Sequence, residues 1–339
     1  MAKERLGYID VSKGIMILLV LLVHIPLVYY SVDSVALSYL HKFTISFIPF
    51  LMPAFFVLTG YCSNFNKSFK EIFVSSFRTI ALPGITFTIL FFMLKMRFNA
   101  ESLSTLLNTV FIKGGGFWFL PALFVGRLLF WLVHHYTKGI SYYLCLCLSF
   151  FIGLILYNLS PGIEFWRMYH GMMLMPFIGL GNHLKETGYQ FNHFWTTFIL
   201  YALTFILIIF LSNKSIIDAG SNYGIPFMTG KITNMNPITI IPFLLLSVSG
   251  SLMIVALCKY ISPCPLLEYF GRNSLTIYCL QGYALHVVFL CSVGFLSHHT
   301  PIIIVFFIIL LGYLLSIVAC SAVAYVVNTK YLRFMIGKF

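Results

Sequence analysis

Runs of about twenty apolar residues recur along the chain, and a helix of that length is what crosses ~30 Å of hydrocarbon. They lie at approximately 14–31, 43–61, 79–96, 117–136, 140–157, 168–184, 194–212, 237–258, 274–294 and 301–327 of the 339 residues. The runs are continuous rather than alternating, so they read as helices, which satisfy their own backbone in lipid, and not as strands of a barrel. The expected fold class is all-α, a polytopic integral membrane protein with about ten transmembrane helices. Composition agrees: 60% of residues are hydrophobic and 9% charged, where a soluble domain carries roughly 45–50% and about 25%.

The first run follows a basic start, as a signal peptide would. No small-residue cleavage site comes after it and His24 interrupts it, so it reads as retained. With the amino terminus in the cytoplasm, thirteen Lys and Arg fall on inner segments and seven on outer ones. That asymmetry places both termini in the cytoplasm and predicts a multi-pass protein of the plasma (inner) membrane. The net charge of +12 is accounted for by basic helix ends facing anionic lipid, and calls for no nucleic acid.

One domain, 1–339, is expected, because no loop is long enough for a soluble one. The longer loops read as 62–78, 97–116, 185–193, 213–236 and 259–273; the stretch 64–78 is basic and helix-like, whereas 213–236 is rich in Gly, Asn and Ser. No repeated half is visible, which disfavours duplicated transporter folds. The eight cysteines follow no metal-ligand or disulfide spacing, so they read as small hydrophobes and no metal is expected.

Two polar intrusions stand out. His24 lies eleven residues after Lys13, on nearly the same helix face and ~16 Å deeper, close to the bilayer midplane. An ionisable residue at that depth points to a site in the bundle interior, the alternative being a neutral ring bonded across helices. Asp10 and Lys13 precede it, readable as a helix N-cap and a snorkelling cation. Arg127, at mid-depth of the fourth run, keeps its charge and must meet a carboxylate, an anionic ligand, water or backbone carbonyls. His170, Gln281 and His286 are weaker intrusions of the same kind.

These residues sit in recognisable strings. YIDVSKGIMILLVLLVH carries a basic residue, ten others and a His, as Lys13 and His24. PFLMPAFFVLTGYCS ends on Gly60 and Tyr61, and FRTIALPG holds Arg78 and Pro83. GGGFWFLPALF contains Trp118, and LEYFGRNSLTIYCLQ contains Gly271, Asn273 and Ser274. In this order they resemble the membrane-bound acyltransferase-3 family, especially the branch similar to fucose 4-O-acetylases and other surface-polysaccharide O-acetyltransferases. One departure stands out: Gln281 occupies a position where members often place a His, and an amide cannot shuttle a proton.

The resemblance implies an acyl-CoA donor, most simply acetyl-CoA, arriving from the cytoplasm, and a carbohydrate hydroxyl as acceptor. It implies catalytic roles for His24, Asp10, Lys13 and Arg127, with His24 as general base or transient acyl acceptor. Lys13, Lys67, Lys70 and Arg78 would hold the donor's phosphates, and Trp118, Asn273 and Ser274 would line its path. Lys13, Lys67, Lys70 and Arg78 also read as inner-leaflet anchors. The competing readings are a transporter or flippase of a lipid-linked sugar and a non-catalytic assembly partner; the oligomeric state is left open.

Overall fold

A computed structural model describes residues 6–29, 32, 34–97, 102–159, 165–212, 237–296 and 300–337. The basic start with Lys3 and Arg5, the polar loop 213–236 and Lys338 lie outside the described residues. The described chain is helical, and each apolar run read from the sequence falls on a helix. Seven helices are long and apolar enough to cross a membrane among the described residues, or eight if one pair bent by 42° forms a single span.

The helices are α1 Gly7–Val28, α2 Val35–Ile45, α3 Ile48–Cys62, α4 Phe69–Ser76, α5 Leu82–Arg97, α6 Leu103–Leu107 and α7 Phe119–Tyr136. They continue as α8 Ile140–Leu159, α9 Met168–Glu186, α10 Phe194–Ser212, α11 Pro237–Ile261, α12 Pro265–Arg272, α13 Ser274–Ser292 and α14 Ile302–Val327. Two short helices, α6 and α12, fall in stretches expected to be loops. Their physical reasons are local: Ser102 caps α6 by accepting from the Thr105 N–H, and Pro265 opens α12 at a position where its missing N–H costs nothing.

The chain divides into two compact units, Met1–Ala54 with Phe191–Val326, and Phe55–Gln190 with Val327–Phe339. In the first, α1 packs chiefly on α12 and also against α13, α11 and α2, while α10 packs on α11. The α1–α12 contact is one of backbone on backbone, because a Cβ on Gly14 would overlap the Leu267 carbonyl and one on Gly271 would overlap that of Asp10. Small residues allow this approach between helices in lipid, where apolar burial drives no association. Polar side chains add bonds: the Tyr313 hydroxyl donates to Leu18 O at 3.1 Å, Ser247 to Pro49 O at 2.7 Å, and Tyr201 to Ser46 O.

In the second unit α9 is central, packing on α7 and α8. Gly60 on α3 and Gly181 on α9 repeat the reciprocal arrangement, each facing backbone carbonyl of the other helix, at Ile178 and Val57. The basic stretch after α3 folds as α4, fixed by a capping box in which Ser68 and Glu71 satisfy each other's backbone N–H groups. Between α4 and α5 the helix widens into a π-helical stretch, Phe77–Ala81, where the Leu82 N–H donates to Phe77 O. Pro83 follows just beyond it, where its missing N–H leaves one helical hydrogen bond unmade.

Candidate active site

In the first unit, α1 carries three of the four residues that the sequence places in the mechanism, Asp10, Lys13 and His24. The helix begins at Gly7 with Leu6 in the cap position, so Asp10 is not the N-cap expected of it. It lies in the first turn and is buried, where a carboxylate favours the positive end of the helix dipole. Lys13 is half-buried one turn on.

His24 sits near the far end of α1, half-buried, with its Nδ1 2.6 Å from the carbonyl of Val20. The bond is within its own helix, not across to another as the structural alternative required. A carbonyl only accepts, so in the neutral ring Nδ1 bears the proton and Nε2 keeps its lone pair. Pro26 follows two residues later inside the helix and removes the N–H that would have bonded the Leu22 carbonyl. The ring therefore lies where the helix's own hydrogen bonding is interrupted.

Asn273 and Ser274 belong to this unit too. Asn273 is buried at the junction of α12 and α13, its amide donating to Tyr269 O at 2.9 Å, and Ser274 is the first residue of α13. The Gly271–Asp10 contact ties that junction to the mouth of α1. Gln281, also on α13, is buried with an Oε1 that has no hydrogen-bond partner.

In the second unit, Lys67, Lys70 and Arg78 come together. They line one cleft of about 510 Å³ along with Glu71, Ser75 and Gly337, and all three basic side chains are exposed. The π-helical stretch presents Arg78 there, a backbone irregularity of the sort frequent at functional sites. An open cleft with three cations on its wall suits a polyanionic ligand.

Arg127 and Trp118 lie on or beside α7. The loop before α7 turns through Gly114 and Gly115, at φ +74° and +122°, in a region that glycine alone adopts without strain. The Gly116 N–H is held by Thr88 Oγ1 at 2.8 Å, and Trp118 follows, its ring 5.4 Å from that of buried His170. Arg127 is half-buried, and its Nε is fully buried without a hydrogen-bond partner.

A second pocket of this unit, about 620 Å³, lies where α3, α7 and α9 end and α8 begins, with Asn66, His134, His183 and Glu186 on its walls. No motif in the sequence marks it. Its signal was present in the histidines at the ends of the fourth and sixth apolar runs, which look like ordinary helix-end cations.

The described chain is that of a helical membrane protein with a histidine oriented within one helix and cations gathered on an open cleft. Comparison with known families narrows it: residues 6–325 match the acyltransferase-3 family, whose model is described as an acyltransferase domain, and the chain belongs to that family. The match runs through both compact units. No curated protein and no solved structure matches the chain.

Proposed function

We propose that this protein is an O-acyltransferase of the inner membrane, akin to the fucose 4-O-acetylase-like branch of its family. It moves an acetyl or other short acyl group from cytoplasmic acyl-CoA to a hydroxyl of a surface polysaccharide or lipid-linked sugar. The chain crosses the bilayer about ten times with both termini inside, and a single catalytic domain spans both units.

The observation that carries this reading is the bond from His24 Nδ1 to Val20 O. It fixes the ring and leaves Nε2 as the base. In the proposed step the acceptor hydroxyl gives its proton to Nε2 as its oxygen attacks the thioester carbonyl. The tetrahedral oxyanion then collapses, the C–S bond breaks, and the imidazolium returns the proton to the departing CoA thiolate. Nε2 is also the atom that would take the acyl group in a two-step route. General-base help of this kind contributes about 10²–10⁴-fold.

Lys67, Lys70 and Arg78 hold the donor's phosphates in the cleft they share. Lys13 and Asp10 act at the mouth of α1, Lys13 on the donor and Asp10 on the orientation of the nearby cations. Arg127, Trp118 and Asn273 are assigned to the oxyanion or to the donor's path, with Ser274 beside Asn273.

The test is release of CoA thiol from acetyl-CoA by purified protein in the presence of candidate sugars. Release that depends on the sugar and on His24 supports transfer. Transport of a sugar without thiol release refutes it.

A further inference from the structure

We infer that the pocket at the shared ends of α3, α7, α8 and α9 binds a purine base, and that it receives the adenine of the donor whose phosphates occupy the basic cleft. The inference rests on the donor assigned above.

The walls of the pocket are mostly flat rings. Phe65, His134, Tyr142, Tyr143 and His183 line it, with Phe65 almost wholly buried behind the others: it packs on Phe130 at 4.6 Å, and His134 stacks on Phe130 at 5.8 Å with 28° between planes. His134, half-buried and held this way, presents a surface at little entropic cost, which is what stacking on a heterocycle needs. Between the rings stand groups that read a base edge. Asn66 Oδ1 lies 3.2 Å from His134 Nε2, and Glu186 accepts from Asn182 Nδ2 at 2.8 Å through Oε1. A carboxylate and an amide carbonyl accept from an exocyclic amino group, and imidazole N–H groups donate to ring nitrogens.

Size and position select the ligand further. A volume of about 620 Å³ exceeds what a single ion needs and falls in the range of small-molecule sites, ~300–1,000 Å³. Among the described residues, no group of three His, Cys, Asp or Glu is placed to hold a metal ion. The pocket and the basic cleft are neighbours in one unit, joined by the dipeptide Asn66–Lys67: Asn66 faces the pocket and Lys67 the cleft. Trp131 secures that dipeptide by donating to Lys67 O at 2.8 Å, and its ring stacks on His135 of the pocket wall at 4.8 Å. Stacking surface on one side of a fixed turn and cations on the other is the division of labour that a nucleotide requires.

The experiment uses the full-length protein in detergent with 8-azido-CoA as photoaffinity probe and mass spectrometry of the labelled peptides. Label on 134–143 or 183–186, competed by adenosine 3′,5′-bisphosphate and not by 4′-phosphopantetheine, is the expected result. Tyr143→Ala and His183→Ala should each raise the Kd for CoA about tenfold, the loss of one stacking or edge contact, and leave that for phosphopantetheine unchanged. Label elsewhere, with CoA still bound, overturns the purine site and spares the donor assignment. No saturable CoA binding at all overturns the donor assignment itself.

Discussion

Gly271 of α12 lies directly against the carbonyl of Asp10 on α1, with no room for a Cβ between them. Gly14 makes the reciprocal contact with Leu267, so the helix that carries His24 is registered by two glycines. Gly271→Ala and Gly14→Ala should each lower stability by about 1–3 kcal/mol, as overpacking does. Because both changes wedge the same interface, their combined effect should fall short of additive. Thermal unfolding of the single and double variants in detergent checks this, and additive effects would mean that the two glycines do not share one contact.

Ser68 and Glu71 close the box that starts α4, the helix on which Lys70 reaches the cleft. Ser68→Ala should cost about 1 kcal/mol of local stability and raise the KM for acyl-CoA while leaving kcat nearly unchanged. Hydrogen exchange across 68–76, measured with the kinetics, would show faster opening there. Unchanged exchange would mean that the cap contributes nothing to α4.

The cations of the cleft are exposed, so each should contribute modestly. Lys67→Ala, Lys70→Ala and Arg78→Ala should each raise the KM for acyl-CoA by about fivefold at most, as pairs of exposed charges are worth 0.2–1 kcal/mol. Raising ionic strength to about 1 M, where the Debye length is ~3 Å, should weaken the wild type toward the variants. A KM indifferent to both salt and substitution would return these residues to the lipid surface.

Gln281 buries an amide oxygen that no donor reaches. An orphaned acceptor costs about 1–3 kcal/mol, so Gln281→Met, similar in volume and free of that demand, should raise the unfolding temperature by several degrees. A fall would show that the amide is bonded in the working protein.

Much of this was legible in the sequence, for definite reasons. The spacing of Lys13 and His24 and the uninterrupted run between them give α1 directly, since a twenty-residue apolar run has one economical structure in lipid. Asp10 reads as an N-cap in the sequence, yet Gly7 and Tyr8 already lie in the helix, and nothing polar marks its start at Leu6. Gly14, Gly60, Gly181 and Gly271 look like ordinary membrane glycines until the facing carbonyls are known. Lys67, Lys70 and Arg78 are marked in the sequence by charge, but their sharing one cleft, with Arg78 on the π-helical stretch, is a matter of the folded chain. The ring-lined pocket joins three stretches that are far apart in the chain, 65–66, 134–143 and 183–186, and no local pattern announces it.

The most direct test of the account is the rate of CoA thiol release from acetyl-CoA by wild-type protein and by His24→Ala, purified together and matched for unfolding temperature. The account predicts loss of at least about 10²-fold in kcat with little change in acyl-CoA binding, because Nε2 is the base and the phosphates are held elsewhere. A variant that folds, binds the donor and still transfers at the wild-type rate would contradict it.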